Sequence, residues 1–326
     1  MDTNVTISVI MPLYNGAKNI IEQLDSIRLQ ERQPDEVLLK DDGSTDNTVE
    51  IVQDFIKVHK LENWTLTINK ENVGWRNNFI NMIHEAAGDI IFFSDQDDIW
   101  YPTKISHMTE RFLQDPENIK VLVSNYDELI EPNGVSYPCE KRKNDTKGPL
   151  DELYFSKKNV FLNRPGWVYA FQKDFIPTFD KFLETSLFPV HDMVMWSAAV
   201  MCDNLYLLNE ATGRWRKHGT SAMQIENEET DKITETKRNI RLVKLERLKK
   251  LTLSNIYFAE KNEINDRERK LDVLRKILQE LDVRLKIVEE DKPLQIILNT
   301  SKYTIAHSYF ADIWYFFKRK TMTKYR

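Results

Sequence analysis

Cysteine is scarce in this chain of 326 residues, which contains only Cys139 and Cys202, and the two are not in CxxC spacing. The composition therefore argues against a disulfide framework and a structural zinc site, and it fits a reducing cytosol. Positive charge is not in excess either, because the formal net charge is −5. A dedicated nucleic-acid binder would be basic overall, so we expect no nucleic-acid partner.

Long apolar runs are missing as well. A membrane-spanning helix needs a run of about 18 or more apolar residues, and none occurs in the sequence. The apolar stretch Val5–Leu13 has neither a basic start nor a small-residue cleavage site, so it predicts a first strand rather than a signal peptide. We expect a cytoplasmic protein, with peripheral contact at the inner face of the cell membrane left open.

What the chain does contain is enough apolar material for a large core. Hydrophobic residues make up 41% of it and aromatic residues 11%, and such a composition argues against wholesale disorder. The length suits one large α/β domain with a smaller appendage.

Short apolar runs alternate with helical patterns in the first part of the chain. This alternation predicts an α/β fold with a Rossmann-like, mostly parallel central sheet that helices cover on both faces. The predicted strands are Ile7–Met11, Glu36–Lys40, Thr65–Asn69 and Asp89–Ser94, and the predicted helices are Ile20–Gln30, Thr48–His59 and Trp75–Ala87. Further strands are predicted at Val121–Tyr126 and Gly166–Phe171, and a further helix at Asp192–Met201.

Polar loops follow three of the predicted strands directly, at Pro12–Asn15, Asp41–Asp46 and Asp95–Asp98. Ligands of such sheets bind beyond the carboxyl ends of the strands. We therefore expect the three loops to converge on one crevice.

Two carboxylates separated by one residue, Asp95 and Asp97, stand in the last of these loops. On a turn both can face one hard cation, and Mn²⁺ or Mg²⁺ held in this way neutralises charge on a departing diphosphate. A solvated acidic loop or a helix cap is the alternative. The third adjacent carboxylate, Asp98, and the apolar strand before the loop favour the metal site. An EF-hand is ruled out because its glycine and its twelfth-position glutamate are missing.

Four motifs occur in an order that is specific to one enzyme family. They are Val9–Asn15, Asp41–Asp46, Asn72–Asn77 and Phe93–Pro102. On these motifs the sequence resembles a family 2 glycosyltransferase with the GT-A fold, over roughly residues 5–222. The sequence of Asp95–Trp100 is similar to that of the rhamnosyltransferase-like branch of the family. The resemblance implies a catalytic domain at residues 1–222 and leaves a helical C-terminal region at residues 223–326.

The resemblance implies a role in binding the donor or the metal for each residue that matches these motifs. The residues are Pro12 and Tyr14 for the nucleoside pocket, Asp41 for the base with Asp42 nearby, Arg76 for the base or diphosphate, Asp95 for the donor sugar or ribose and for the metal, and Asp97 as the principal metal ligand.

In the second half of the chain the resemblance implies that Asp192 is the general base. It would deprotonate the acceptor hydroxyl, which attacks the anomeric carbon with inversion; a helix N-cap is the alternative. Arg216 and His218 match the family's Arg-x-His loop and would bind the diphosphate and the metal or phosphate, respectively; a solvated basic turn is the alternative. No role is carried onto Ser221, where the family often has Asn. For Trp167 a place in the core is favoured over stacking on a sugar.

The last third of the chain differs from the rest in composition and in hydrophobic pattern. Residues Glu226–Ile287 are charge-rich, nearly free of Gly and Pro, and helical in pattern. A heptad-like seam there predicts packing on the catalytic domain, pairing into a homodimer, or both. Its members are Leu271, Leu274, Leu278, Leu281, Leu285 and Val288. The aromatic-rich segment Tyr303–Phe317, which precedes a basic tail, fits an interfacial membrane helix and a docked core helix equally well.

The predicted function is the inverting, metal-dependent transfer of a sugar from a nucleotide-sugar donor, dTDP-rhamnose or a UDP-hexose, to an acceptor hydroxyl. By resemblance, the acceptor is a saccharide or a lipid-linked saccharide, and the product belongs to a bacterial surface polysaccharide. One alternative is a sugar-nucleotide pyrophosphorylase, which should carry a basic Gly-rich loop that Pro12–Gly16 lacks. The other is a non-catalytic scaffold that pairs through its C-terminal helices, and the intact acidic residues count against it.

Overall fold

The computed structural model describes residues 5–132, 134, 148–162, 164–219 and 236–322. The chain divides into two compact units. Unit one comprises Met1–Tyr154, Leu162–Leu183 and Pro189–Gly219, and unit two comprises Phe155–Phe161, Glu184–Phe188 and Thr220–Arg326. The domain boundary predicted between residues 222 and 223 lies outside the described residues, as do Cys139 and Ser221.

Unit one is built on a nine-stranded sheet with the order β3-β2-β1-β4-β8-β6-β9-β5, and β7 also pairs with β9. The strands are β1 (Ile7–Leu13), β2 (Glu36–Asp41), β3 (Trp64–Ile68), β4 (Ile90–Phe93), β5 (Ile99–Trp100), β6 (Val121–Ile130), β7 (Leu150–Glu152), β8 (Tyr169–Gln172) and β9 (Leu205–Lys217). The helices are α1 (Ile20–Arg28), α2 (Thr48–His59), α3 (Trp75–Glu85), α4 (Lys104–Gln114), α5 (Ile176–Leu183) and α6 (His191–Met201).

One half of the sheet is parallel, as the strand–helix alternation predicts. β1 pairs in parallel with both β2 and β4, and β2 pairs in parallel with β3. β4 is buried at all four of its residues, which explains why it reads as a continuous apolar run. The carboxyl ends of β1, β2 and β4 therefore lie side by side at one edge of the sheet.

The other half of the sheet is mixed, which departs from the mostly parallel arrangement expected. β8 lies antiparallel between β4 and β6, whereas β6 and β9 are parallel. Antiparallel neighbours need no helical crossover, and apolar patterning does not reveal strand direction. The predicted strand Gly166–Phe171 begins later than expected, because Gly166–Val168 forms a 3₁₀ turn.

The helix α6 is buried almost all round. Every residue from Val194 to Met201 is buried, so the helix lies in the core of unit one rather than on its surface. Only its first turn, with Asp192 and Met193 half-buried, reaches the open edge of the sheet. A helix fixed in this way holds its N-terminal residues in a defined place.

Unit two is helical, with α7 (Lys237–Lys261), α8 (Arg267–Glu289), α9 (Leu294–Leu298) and α10 (Ala306–Met322). The leucine seam lies on α8, and Leu271, Leu274, Leu281, Leu285 and Val288 are each at most 4% exposed. Its C-terminal members share a core cluster with Leu245 of α7 and Phe316 of α10. The seam is thus buried by helices of the same unit, so pairing of two copies is not needed to cover it. No helix among the described residues combines the length and apolarity needed to cross a membrane.

Candidate active site

The loops after β1 and β4 are joined by one side chain. The Gln96 amide accepts a hydrogen bond from the Tyr14 N–H at 2.9 Å and donates one to the Tyr14 carbonyl at 2.8 Å. The loop after β2 joins the same assembly, because the Asn15 side-chain oxygen accepts from the Thr45 N–H at 2.8 Å, and Ser44 Oγ accepts from the Asn15 N–H at 2.9 Å. The three polar loops therefore form one continuous rim, as their positions after the strands predict.

Both carboxylates of the β2 loop are buried and hydrogen bonded by backbone groups. Asp41 accepts from the N–H groups of Gly43 at 3.0 Å and Ser44 at 2.9 Å. Asp42 accepts from the N–H groups of Val73 at 2.9 Å and Gly74 at 2.8 Å. The hydrogen bonds of Asp41 therefore stabilise the turn of its own loop. Those of Asp42 hold in place the segment that leads into α3 and Arg76.

Asp95 lies at the centre of a group of carboxylates. Burial, reinforced by the charges of Asp97 and Asp192, raises the pKa of Asp95 to about 8. Mutual repulsion of this kind requires the three groups to lie within a few ångströms to about ten. The end of β4 and the start of α6 therefore contribute acids to one site.

A fourth carboxylate and a lysine lie behind this group. The sequence counted Asp98 as support for a metal site without giving it a role of its own, and it gave no role to Lys104. Asp98 is fully buried; one of its oxygens accepts from the Arg216 N–H at 2.8 Å, and the other has no hydrogen-bond partner. Burial and the charges of Asp97 and Asp95 raise the pKa of Asp98 well above its usual range. Lys104 is buried too, and its Nζ donates to the Trp167 carbonyl at 2.8 Å.

Lys104 is held between two indole rings, with Nζ 4.5 Å from the ring centroid of Trp100 and 4.7 Å from that of Trp167. Burial lowers the pKa of Lys104 well below its ordinary value, against the opposing attraction of Asp98 and Asp95. In its protonated form Lys104 offsets part of the repulsion among the acids. Trp167 itself is fully buried, which confirms its assignment to the core.

Asp97 and His218 are the side chains best placed to hold a divalent cation. His218 Nε2 lies 2.6 Å from Asp97 Oδ2, and a carboxylate with one imidazole is a donor set within the range that divalent metals accept. No group of three or more His, Cys, Asp or Glu side chains within the described ranges forms a complete metal site. The pair fits a cation that takes its other ligands from water or from a bound anion.

Arg216 is committed to protein contacts rather than free in the crevice. Its Nε donates to the Asp97 carbonyl at 2.7 Å, and its guanidinium bonds Glu131 at 2.8 Å and also Glu22. The side chain is only 7% exposed. Its position at the end of β9 fixes the backbone of the Asp97 loop, a contact that the sequence could not reveal because Glu22 and Glu131 are remote in the chain.

The first turn of α6 is positioned by aromatic stacking. His191 stacks on Phe79 of α3 at a centroid distance of 3.8 Å and meets the edge of Phe93 at 5.1 Å. Neither ring nitrogen of His191 has a hydrogen-bond partner. Burial, together with the nearby Arg76 charge, lowers the pKa of the imidazole to about 3, so the ring is neutral at pH 7.

Asp192 follows this histidine in the first turn of α6, and Val190 rather than Asp192 is the N-cap residue. Asp192 is not the N-cap residue itself, but its Oδ1 accepts a hydrogen bond from the Met193 N–H of the same turn at 2.7 Å, and its carboxylate also gains from the helix dipole. Arg76, in the first turn of α3, interacts electrostatically with the neighbouring His191, which brings Arg76 to the same edge of the sheet. Tyr14 is 48% exposed and Pro12 half-buried on the rim.

Comparisons with known proteins agree with this architecture. The family model described as glycosyl transferase family 2 matches residues 8–165. The dTDP-rhamnosyl transferase RfbG of Shigella flexneri is 30% identical over 220 residues, which cover 64% of this chain and 71% of RfbG.

Two solved structures share the fold. The fragment 1–349 of S. aureus TarS in complex with UDP-GlcNAc superposes with a TM-score of 0.58 at 17% identity, covering 91% of this chain and 80% of the fragment. The Pyrobaculum calidifontis mannosyltransferase PcManGT in complex with GDP-Man and Mn²⁺ gives a TM-score of 0.52 at 14% identity, covering 94% and 78%. At such identities the likeness shows the fold alone, and that fold is GT-A.

Proposed function

Because the chain belongs to glycosyl transferase family 2 and is a glycosyltransferase, we propose that it transfers a sugar from a nucleotide-sugar donor to an acceptor hydroxyl with inversion at the anomeric carbon. The observation that carries the proposal is the meeting of Asp95, Asp97 and Asp192, from two distant parts of the chain, in one electrostatically coupled group. This is the set of groups that the reaction needs at one point: a site for the diphosphate and a base for the acceptor.

Asp97 and His218 would hold a divalent cation, for which we favour Mn²⁺ or Mg²⁺, and Asp95 would join them as a ligand only once the cation is bound. When bound, the cation supplies positive charge against the diphosphate. The raised pKa of Asp95, about 8, means that its carboxyl carries a proton at pH 7 while no cation is near. The proposed role of Asp98 and Lys104 is to tune the electrostatic environment of Asp95 and Asp97.

The nucleoside would lie along the rim formed by Pro12, Tyr14 and the Asp41 loop. The exposed face of Tyr14 can contact a base or a ribose, and Arg76 can reach a base or diphosphate oxygen. Arg216 would act on the donor mainly through the Asp97 loop, because its guanidinium is already bonded to Glu22 and Glu131. Of the two donor classes we favour dTDP-rhamnose over a UDP-hexose, since RfbG is named for dTDP-rhamnosyl transfer.

Asp192 would take the proton of the acceptor hydroxyl. The hydroxyl oxygen then forms its bond to the anomeric carbon, while the bond from that carbon to the diphosphate oxygen breaks and the nucleoside diphosphate leaves with the electron pair. Attack opposite the leaving group inverts the anomeric centre. A saccharide or lipid-linked saccharide of a bacterial surface polysaccharide is the proposed acceptor class.

The test is a donor screen with the full chain. Nucleoside diphosphate release from dTDP-rhamnose, UDP-glucose, UDP-N-acetylglucosamine and GDP-mannose is measured with Mn²⁺, with Mg²⁺ and with EDTA, and the anomeric configuration of the product is read by NMR. We expect one preferred donor, cation-dependent release and an inverted product.

The alternative functions give different products in the same screen. When pyrophosphate is added to the screen, a pyrophosphorylase would convert the nucleotide sugar and pyrophosphate into nucleoside triphosphate and sugar 1-phosphate. A scaffold protein would release nothing from any donor. Either result, or retention of the anomeric configuration, would overturn the proposal.

A further inference from the structure

An apolar stripe runs along the outer side of α10 in unit two. Phe310, Trp314 and Phe317 are 65%, 61% and 61% exposed, and Ile313 is 39% exposed. Their spacing of three, one and three residues places them on one face of a helix. We call these four residues the α10 outer face. Large aromatic side chains left in water on one stripe mark an interaction surface rather than scattered surface residues.

The opposite side of α10 is fixed by a buried charge. Asp312 is 1% exposed, and its carboxylate accepts from Arg284 Nε at 2.8 Å and from the Tyr303 hydroxyl at 3.0 Å. Arg241 of α7 bonds the same carboxylate. A buried carboxylate with three donors is costly to pull out, so α10 cannot roll to bury its outer face in unit two. The outward aromatic stripe is therefore a stable feature of the fold.

A second apolar surface lies on the short helix before α10. Leu294, Ile297 and Leu298 of α9 are 74%, 64% and 74% exposed, and α9 contacts α10. Together, α9 and the α10 outer face expose more apolar area than scattered single hydrophobic residues would. It requires a partner that is itself apolar.

The charge of the adjoining sequence identifies the kind of partner. The segment from Lys318 to Arg326 holds five basic residues and no acidic one, namely Lys318, Arg319, Lys320, Lys324 and Arg326. Exposed aromatics on a helix next to lysines and arginines are the composition of a segment that lies in the interface of an anionic bilayer. We propose that α9 and the α10 outer face form a docking surface for a membrane that contains anionic phospholipid.

A second copy of the chain fits this surface less well. The centre of a protein–protein interface is depleted in charged residues, whereas five like charges in the adjoining tail would repel those of a symmetric partner. Lipid headgroups of negative charge instead attract the tail. The proposal goes beyond the sugar transfer proposed above and does not depend on it.

The experiment is cosedimentation of the full chain with vesicles. One set of vesicles contains equal parts of phosphatidylcholine and phosphatidylglycerol, and the other contains phosphatidylcholine alone. We expect binding to the first set that weakens as salt is added. In the variant Phe310→Ser/Trp314→Ser/Phe317→Ser, the loss of buried aromatic area should weaken binding about tenfold or more. The matched control is Ile21→Ser/Val58→Ser, which removes exposed apolar side chains of unit one and should bind as the wild type does.

Circular dichroism and thermal unfolding check that each variant is folded. If the triple variant unfolds, the single variant Trp314→Ser and the charge variant Lys318→Gln/Lys320→Gln/Lys324→Gln take its place, and both should bind more weakly. Failure of the wild type to bind phosphatidylglycerol vesicles, or undiminished binding by the folded variants, would overturn the proposal. So would a dimer, seen by analytical ultracentrifugation, that the α10 variants abolish while no vesicle binding occurs. Sugar transfer to a water-soluble acceptor is measured in parallel, and its absence would count against the proposed function without affecting the vesicle result.

Discussion

His218 Nε2 and Asp97 Oδ2 lie 2.6 Å apart, joining the residue after β9 to the loop after β4. We expect His218→Ala to weaken the apparent affinity for Mn²⁺ by about tenfold or more, because one of two close side-chain ligands is lost. Asp97→Ala should abolish cation-dependent release of nucleoside diphosphate. Titration of activity with Mn²⁺ measures both. His107→Ala, which removes a histidine paired with Glu210 at 2.8 Å, is the control and should leave the Mn²⁺ curve unchanged.

Asp192 is expected to matter for the chemical step and not for donor binding. Asp192→Asn keeps the size of the side chain but cannot accept the proton, so kcat should fall by about 10² to 10⁴, while the Kd for the donor stays within about twofold. Steady-state kinetics and calorimetric donor titration separate the two effects. Asp174→Asn, on the surface of unit one, is the matched control. Wild-type transfer in the Asp192 variant would refute the assigned base.

Gly166 leaves the room that His191 occupies. A Cβ at position 166 would lie 2.7 Å from His191 Nε2 and 3.8 Å from Asp192 Cβ. We expect Gly166→Ala to cost about 1–3 kcal/mol of unfolding free energy through overpacking, and to lower kcat more than it raises KM because the base is displaced.

Gly148→Ala provides the comparison, since the nearest atom to its added Cβ is 3.8 Å away. Thermal melts and kinetics of the two variants should therefore diverge. Equal behaviour of the two would show that the contact with His191 does not restrain α6.

The free energy of unfolding should decrease as the pH is lowered below the ordinary pKa of histidine. His191 has its folded-state pKa lowered from 6.5 to about 3, so the unfolded chain takes up the proton first as the pH falls. The contribution of His191 to the free energy of unfolding is fully present above about pH 6.5 and is lost as the pH falls towards 3. The loss amounts to about 2 kcal/mol by pH 5.

Denaturant unfolding at pH 7 and at pH 5 measures this loss, and His191→Gln should reduce it because glutamine does not titrate. His84→Gln removes a histidine that is 44% exposed and should leave the loss intact. A pH dependence that is the same in the wild type and in the His191 variant would contradict the assignment.

The convergence of the polar loops could be predicted because it depends only on strand order. Pro12–Asn15, Asp41–Asp46 and Asp95–Asp98 follow strands that are parallel neighbours, and parallel strands end at the same edge. The placement of Asp192 came from family resemblance, because the local sequence also allowed a helix cap. The leucine seam was assigned correctly to a helix, yet its partner was the neighbouring helix of the same chain, which a heptad pattern does not distinguish from a second copy.

The remaining features depend on contacts between remote parts of the chain. Lys104 lies in a helical pattern where a lysine is ordinarily exposed, and only the fold reveals the indoles of Trp100 and Trp167 on either side of it. The sequence motif predicts that Arg216 binds a diphosphate, but in the structure its guanidinium forms ion pairs with Glu22 and Glu131. Periodicity and motif spacing carry no information about such pairings.

The contact between Gln96 and Tyr14 makes one side chain act as a surrogate peptide group. Its amide offers the neighbouring loop one donor and one acceptor, which neither a glutamate nor a methionine can do. The same amide fills the space beside Gly16, where an added Cβ would lie 2.6 Å from Gln96 Cδ. Positions 16 and 96 are thus interlocked, so an engineered exchange of one demands a compensating exchange of the other, and the spacer between the two acids Asp95 and Asp97 is as constrained as the acids themselves.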